Sequence, residues 1–135
     1  MKKNILFILL LIIICSCNRT NEEIVKTYES GKPMLVKTLN RQGVAIRETH
    51  YYESGQVYMQ GSLKDGLREG DWQSFHPDGR TQSVGTYING LREGYGAAYY
   101  ENGNLLYEGY YHEGKECGTW KFYDEIGELN QVIER

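Results

Sequence analysis

Glycine recurs along this chain at a fixed step of 24 residues. Gly66, Gly90 and Gly114 keep it, as do Gly61, Gly85 and Gly109, and Gly70, Gly94 and Gly118. A fourth column runs Gly31, Gly55, Gly79, Gly103 and Gly127. An acidic or amide residue precedes the first column (Asp65, Asn89, Glu113), and an aromatic closes each unit (Phe75, Tyr99, Tyr123). The five letters GLREG stand unchanged at 66–70 and 90–94. Several independent columns at one period define an internal repeat, and a repeat fixes the architecture before any motif is considered.

Residues 100–123 illustrate one unit. Asn102-Gly103 reads as the centre of a tight turn, with equivalents at Ser54-Gly55 and Asp78-Gly79. Such turns need positive φ, which Asn and Gly tolerate best. A strand over Leu105–Tyr111 follows. A second turn then carries Glu113-Gly114 and ends at Gly118, and a second strand covers Thr119–Tyr123. Side chains alternate along a strand, so Trp120 and Phe122 share a face. Each unit is a β-hairpin, and hairpins in series pair into a meander advancing about 9–10 Å per repeat. The expected fold is all-β: an elongated antiparallel β-meander of 24-residue hairpins. Full repeats fall at 52–75, 76–99 and 100–123, and a half repeat at 124–135. A degenerate repeat at 28–51 has Lys37, Gln42 and Ile46 in the glycine columns, as suits a terminal unit. Lys32, Pro33 and Lys37 on its first strand would discourage edge pairing, whereas the last strand, around Leu129–Ile133, has no such guard.

Gly55, Gly66, Gly70, Gly79, Gly90, Gly94, Gly103, Gly114 and Gly118 are read as turn and repeat positions. Gly61, Gly85 and Gly109 lie mid-strand, where glycine weakens a sheet unless something approaches closely. The rings of Trp72 and Trp120 are the candidates. The middle unit has Gly96 in the Trp column, so the aromatic ladder has a gap there: a shallow pocket, or drift between repeats.

The stretch GTYINGLREGYGAAYYENGNLLYEG, Gly85 to Gly109, resembles a MORN repeat: Tyr, an acidic or amide residue, Gly, then Gly-x-Gly with an aromatic, then Asn-Gly and Tyr. The 24-residue period resembles the bacterial variant of that repeat, found in proteins labelled YwqK-like antitoxins. The likeness covers roughly 50–130. It implies the β-hairpin fold, a scaffolding role and, through the label, neutralisation of a toxin. A fold alone does not imply a function.

The front of the chain reads differently. Lys2 and Lys3 precede an unbroken apolar run, Ile5 to Ile14, which suits the core of a secretory signal rather than a membrane span. Ile14-Cys15-Ser16-Cys17 resembles a bacterial lipobox, which implies a signal peptide over 1–16 and acylation of Cys17. Several acyl chains on one cysteine give stable membrane residence. Residues 17–27 then form the acylated cysteine and a polar tether. Its Glu22-Glu23 pair resembles the acidic export signals of Bacteroidetes surface lipoproteins. The expected location is the cell envelope, lipid-anchored on a bacterial membrane, with the outer membrane favoured and surface exposure left open.

Charge narrows the partners. The formal net charge is −3, and loss of Lys2 and Lys3 with the leader makes it more acidic. Nucleic acid is excluded, because neutralising phosphates needs a basic face. One cysteine remains after Cys17, so no internal disulfide is possible, and Cys117 is placed in a turn beside Gly118. His50, His76 and His112 occupy three different repeat columns, and no metal or nucleophile motif is present. Catalysis, metal and cofactors are not expected. The acidic columns (Glu53 with Glu101, and Asp65 with Glu113) read as a solvated rim, and Arg68 and Arg92 as local partners of Glu69 and Glu93 at exposed turns.

What remains is aromatic surface. Twelve tyrosines on a single-layer sheet cannot all be buried. Tyr58, Trp72, Tyr87, Tyr107, Tyr111 and Trp120 are the candidate binding residues, since Tyr and Trp supply most interface energy. Exchanging Tyr107 and Tyr111 is expected to abolish binding without unfolding. The function expected is a membrane-tethered, non-catalytic scaffold that binds an unidentified protein through a Tyr-rich face or an open edge. The alternatives are an immunity protein that neutralises a toxin, and an envelope or lipid-associated scaffold.

Overall fold

A computed structural model describes residues 21–135, so the signal peptide expected over 1–16 and the acylation expected at Cys17 lie outside the described residues. Among the described residues ten strands make one antiparallel sheet in which each strand pairs with its sequence neighbours. They are β1 (Asn21–Thr27), β2 (Pro33–Leu39), β3 (Ala45–Tyr51), β4 (Val57–Lys64), β5 (Leu67–Phe75), β6 (Thr81–Ile88), β7 (Leu91–Tyr99), β8 (Leu105–His112), β9 (Lys115–Tyr123) and β10 (Leu129–Glu134). The β-meander read from the repeat is the fold.

From β3 to β10 two chemically distinct turn types alternate, whereas the β2–β3 turn departs from the series, with positive φ only at Gly43 and Gly43 N–H donating to Asn40 O (3.0 Å). Asp65-Gly66, Asn89-Gly90 and Glu113-Gly114 each have two consecutive positive φ values, 52° and 79° in the first. Those are two-residue turns of the mirrored kind, whose twist matches the flanking strands. At the other edge only the glycine has positive φ (Gly103, 91°). There Gly103 N–H donates to Tyr100 O (2.9 Å) and Asn104 N–H to the Asn102 side chain (2.8 Å). The Asn102-Gly103 turn is thus a wider loop closed by a glycine and an Asx bond, not a mirrored turn. The turn at Glu113-Gly114 is also shorter than expected. Lys115–Gly118 already belong to β9, where Cys117 pairs with Tyr110. Gly118, like Gly70 and Gly94, holds positive φ at a bulge beside the turn.

The ends differ from the sequence expectation. Asn21–Thr27, placed in the tether, instead pair with β2 as a fully exposed edge strand. Pro33, Lys32 and Lys37 therefore do not guard an edge. The charged Glu22, Glu23 and Lys26 of β1 take that position. The opposite edge is β10, with Leu129 and Val132 exposed.

Hairpins are stapled to one another at both rims. Along the wide-turn rim, Tyr28 Oη donates to Tyr51 O (2.7 Å), Tyr52 Oη to Phe75 O (2.9 Å) and Tyr100 Oη to Tyr123 O (2.9 Å). His76 fills the same column, its Nε2 2.9 Å from Tyr99 O. Tyr100→Phe should lower stability by about 1 kcal/mol, the usual net worth of one such bond. Urea denaturation would measure it, with the loss confined to the unit and its neighbour because a repeat array couples only adjacent units.

Candidate binding surface

The two faces of the sheet are unlike. One carries Trp72, Ala98 and Trp120, all buried although the sheet is a single layer. What covers the indoles is their own face of the sheet. Trp72 lies flat across Gly61 and Trp120 across Gly109, each so close that no Cβ would fit. Arg68 stacks on Trp72, its guanidinium carbon 4.1 Å from the ring centre. Tyr107 and Tyr111 pack on Trp120, with centroids at 5.7 and 5.0 Å.

The Gly-Leu-Arg-Glu-Gly phrase can now be read letter by letter. The first Gly completes the mirrored turn. The Leu side chain lies against the turn glycine of the next repeat: Leu67 against Gly90, and Leu91 against Gly114. The Arg turns onto the Trp face and stacks on rings. The Glu turns to the opposite face and accepts the next turn's amide: Glu69 from Asn89 N–H and Glu93 from Glu113 N–H, both 2.9 Å. The last Gly makes the bulge. The expected pairing of Arg68 with Glu69 and of Arg92 with Glu93 is therefore incorrect. Adjacent strand residues point to opposite faces, so they cannot meet.

Glu93 also meets His112 Nδ1 at 3.0 Å. The Glu113 amide, and then the imidazole, hold the Glu93 carboxyl below its ordinary value. The same contact raises the His112 imidazole. The depressed carboxyl contributes fully above its unfolded pKa, about 4.3, and its contribution is lost as pH falls through the folded value. The raised imidazole contributes fully below about 6.5, and its contribution is lost as pH rises through the folded value. The pair is therefore complete between those limits. In an NMR titration Glu93→Gln should bring the His112 pKa down toward its ordinary value. A His112 pKa unchanged in that variant would contradict the assignment.

The gap in the Trp column is not empty. Tyr111 leans over Gly96, 2.9 Å from where a Cβ would stand, and Arg92 Nη1 lies 3.7 Å from both the Gly85 and Gly96 Cβ positions. The opening lies one step along the strands. The columns that hold Met59 and Tyr107, and His50 and Phe122, carry only Ser83, Ser74 and Ala98 in the middle units. The result is a groove of about 500 Å³ with Ser74, Ser83 and Ala98 along its floor and Tyr58, Tyr99, Tyr100, Tyr107 and Arg92 around it. The floor serines are hydrogen-bonded to each other (2.6 Å), and Gln82 Oε1 is 3.2 Å from Ser74 Oγ.

The candidate residues divide accordingly. Tyr58 and Tyr107 line the groove. Tyr87 sits half-buried between Arg68 and Arg92. Trp72 and Trp120, 3% and 2% exposed, are core and present no contact surface. Tyr111 covers Gly96 and Trp120, so exchanging it with Tyr107 would damage the fold, contrary to expectation. The sequence reading missed Tyr95 and Tyr110, an edge-to-face pair on the opposite face, 40% and 53% exposed. Partial burial and a hydrogen bond to Glu108 (3.0 Å) push the Tyr95 hydroxyl up to about 12. Alternation counted from Gly96 and Gly109, the strand glycines beside them, would have found them.

Among the described residues no three His, Cys, Asp or Glu side chains gather as a metal site. The repeat can be placed at this point. Three stretches of the chain, residues 46–65, 68–89 and 92–113, match the MORN repeat variant. Each MORN match runs from a bulge-bearing strand through a wide turn to the next mirrored turn, a frame shifted from 52–75 and its successors by a fraction of a unit. The ladder outside the matches, β1–β2 and β9–β10, continues the same geometry with altered letters. No curated protein matches the chain.

Proposed function

We propose that this chain is a non-catalytic MORN-type scaffold that binds another protein on the Trp face, centred on the groove over Ser74, Ser83 and Ala98. The groove carries the reading. It interrupts an otherwise continuous aromatic cover, and tyrosines surround it with exposed ring surface, the residue type most used for protein contacts. Its floor hydroxyls are already bonded to each other, so they impose no strong polar demand on a ligand. The leader and lipobox-like sequence support attachment of the scaffold to a bacterial envelope membrane through Cys17. The β10 edge is a second place for a partner strand to add.

The test is site-specific photocrosslinking in cells of the source organism. A benzophenone side chain replaces Tyr58 or Tyr107 in the full chain, and Thr86 on the opposite face in a control. A single adduct from the groove positions and none from Thr86 is expected. Adducts only from Thr86, or from a probe at Val132 on β10, would reject the groove.

A further inference from the structure

Arg68 and Arg92 stand out on this acidic chain. They come from the repeated phrase, on β5 and β7, with Tyr87 of β6 between them. Both hydrogen-bond the same hydroxyl: Arg92 Nε donates to Tyr87 Oη at 3.1 Å and Arg68 Nη1 at 3.4 Å. Both stack on rings, Arg68 on Trp72 and Tyr87 (4.1 and 5.4 Å), Arg92 on Tyr111 and Tyr87 (4.9 and 5.7 Å). Stacking fixes the plane of each guanidinium. Neither has a carboxylate within ion-pair distance among the described residues, whereas Lys37, Arg80, Lys121 and Arg135 each have one.

A guanidinium carries five N–H donors. Tyrosine hydroxyls use only a small share of those on Arg68 and Arg92, and both side chains are half-buried. Arg92 also lines the groove. One column position further on, the chain itself supplies the complementary group: Glu116 stands where Arg68 and Arg92 stand in their units, and it takes Arg135 at 3.0 Å. At the middle of the face no acid among the described residues pairs with either arginine, and the one carboxylate in the groove lining stands at Glu101, on the wide-turn rim.

Resting on the protein-binding reading above, we infer that Arg92 and Arg68 form a carboxylate-recognition site, and that the segment seated in the groove is an acidic, Glu- or Asp-bearing peptide of the partner. The planar fork of a fixed guanidinium matches a carboxylate in two parallel hydrogen bonds. The groove tyrosines would hold the peptide's apolar parts. A partner with acidic residues overcomes the general repulsion of a negatively charged scaffold only where such cations stand, so the charge match also sets the register.

Calorimetry on the full chain in detergent micelles tests this with a defined probe: a ten-residue peptide of alternating Glu and Tyr, beside its Gln counterpart. The Glu peptide should bind at least tenfold more tightly than the Gln peptide, and the advantage should shrink with salt. Arg92→Gln, and Arg68→Gln to a lesser degree, should remove the advantage, and Arg92→Lys should restore only part of it. Circular dichroism of each variant separates lost binding from lost fold. If both peptides bind equally and Tyr58→Ser abolishes both, the Tyr groove stands and the carboxylate site is refuted. If neither binds, the carboxylate site is refuted, and crosslinking alone decides the groove. Saturable displacement of the Glu peptide by millimolar inorganic phosphate, with tighter phosphate binding, would also overturn it in favour of a phosphate site.

Discussion

A methyl group placed at Gly61 or Gly109 should cost the domain about 3 kcal/mol, at the upper end for overpacking, while the same methyl at Gly85 should cost less than about 1 kcal/mol. The three glycines occupy one repeat column, and their backbone has no positive φ to explain them. What differs is overhead. A Cβ at Gly61 would stand inside the Trp72 ring, and one at Gly109 inside the Trp120 ring. At Gly85 the nearest atom is the tip of Arg92, 3.7 Å away, which is ordinary contact. Each indole is held by cover on its other side, so it cannot lift without exposing a core that the single-layer sheet has no second layer to replace. Denaturant midpoints of Gly61→Ala, Gly85→Ala and Gly109→Ala would give the contrast. Equal losses at all three would mean that glycine is needed there for the backbone and not for the rings.

That contrast also marks how far the letters alone reach. The period and the turn residues were sufficient for strand order, because a 24-residue unit with two turns can only return a meander. The Trp-over-Gly packing was legible too, since a mid-strand glycine demands a close neighbour and the column pairs supply one. The roles of Arg68 and Glu69 are not legible if GLREG is read as an exposed turn. The mirrored turn uses only two residues, so Leu67, Arg68 and Glu69 are already strand, and alternation separates the cation from the acid. The sequence leaves the gap in the Trp column open between a shallow pocket and drift between repeats, and the groove lies one column away from it. The missing Trp at Gly96 invited attention, but long side chains from neighbouring strands reach across that gap, whereas small residues at Ser74, Ser83 and Ala98 in adjacent strands leave a hollow no neighbour fills. The strand at Asn21–Thr27 was missed because it is exposed along its whole length, and without a buried face a strand has no alternation to read.

Truncating an indole should cost more than adding a methyl. Trp72→Ala and Trp120→Ala are each expected to lose about 3–5 kcal/mol, the range for a buried aromatic cut to Ala. Trp120 touches Tyr107, Tyr111 and Phe122 as well as Gly109, so its loss opens the C-terminal hairpins. The milder change to Phe should separate the two sites. Trp72 Nε1 donates to Ser62 O at 3.1 Å, and Trp72→Phe gives up that bond and leaves a carbonyl without its donor. Trp120 Nε1 is buried with no partner among the described residues. A buried donor left unsatisfied costs free energy that Phe does not incur, which offsets part of the area lost. Trp120→Phe should therefore be the cheaper substitution by about 1 kcal/mol or more. Thermal or urea unfolding of the four variants reads the order directly. If Trp72→Phe proves cheaper, the Ser62 bond contributes little, and the close approach to Gly61 is what holds Trp72 in place.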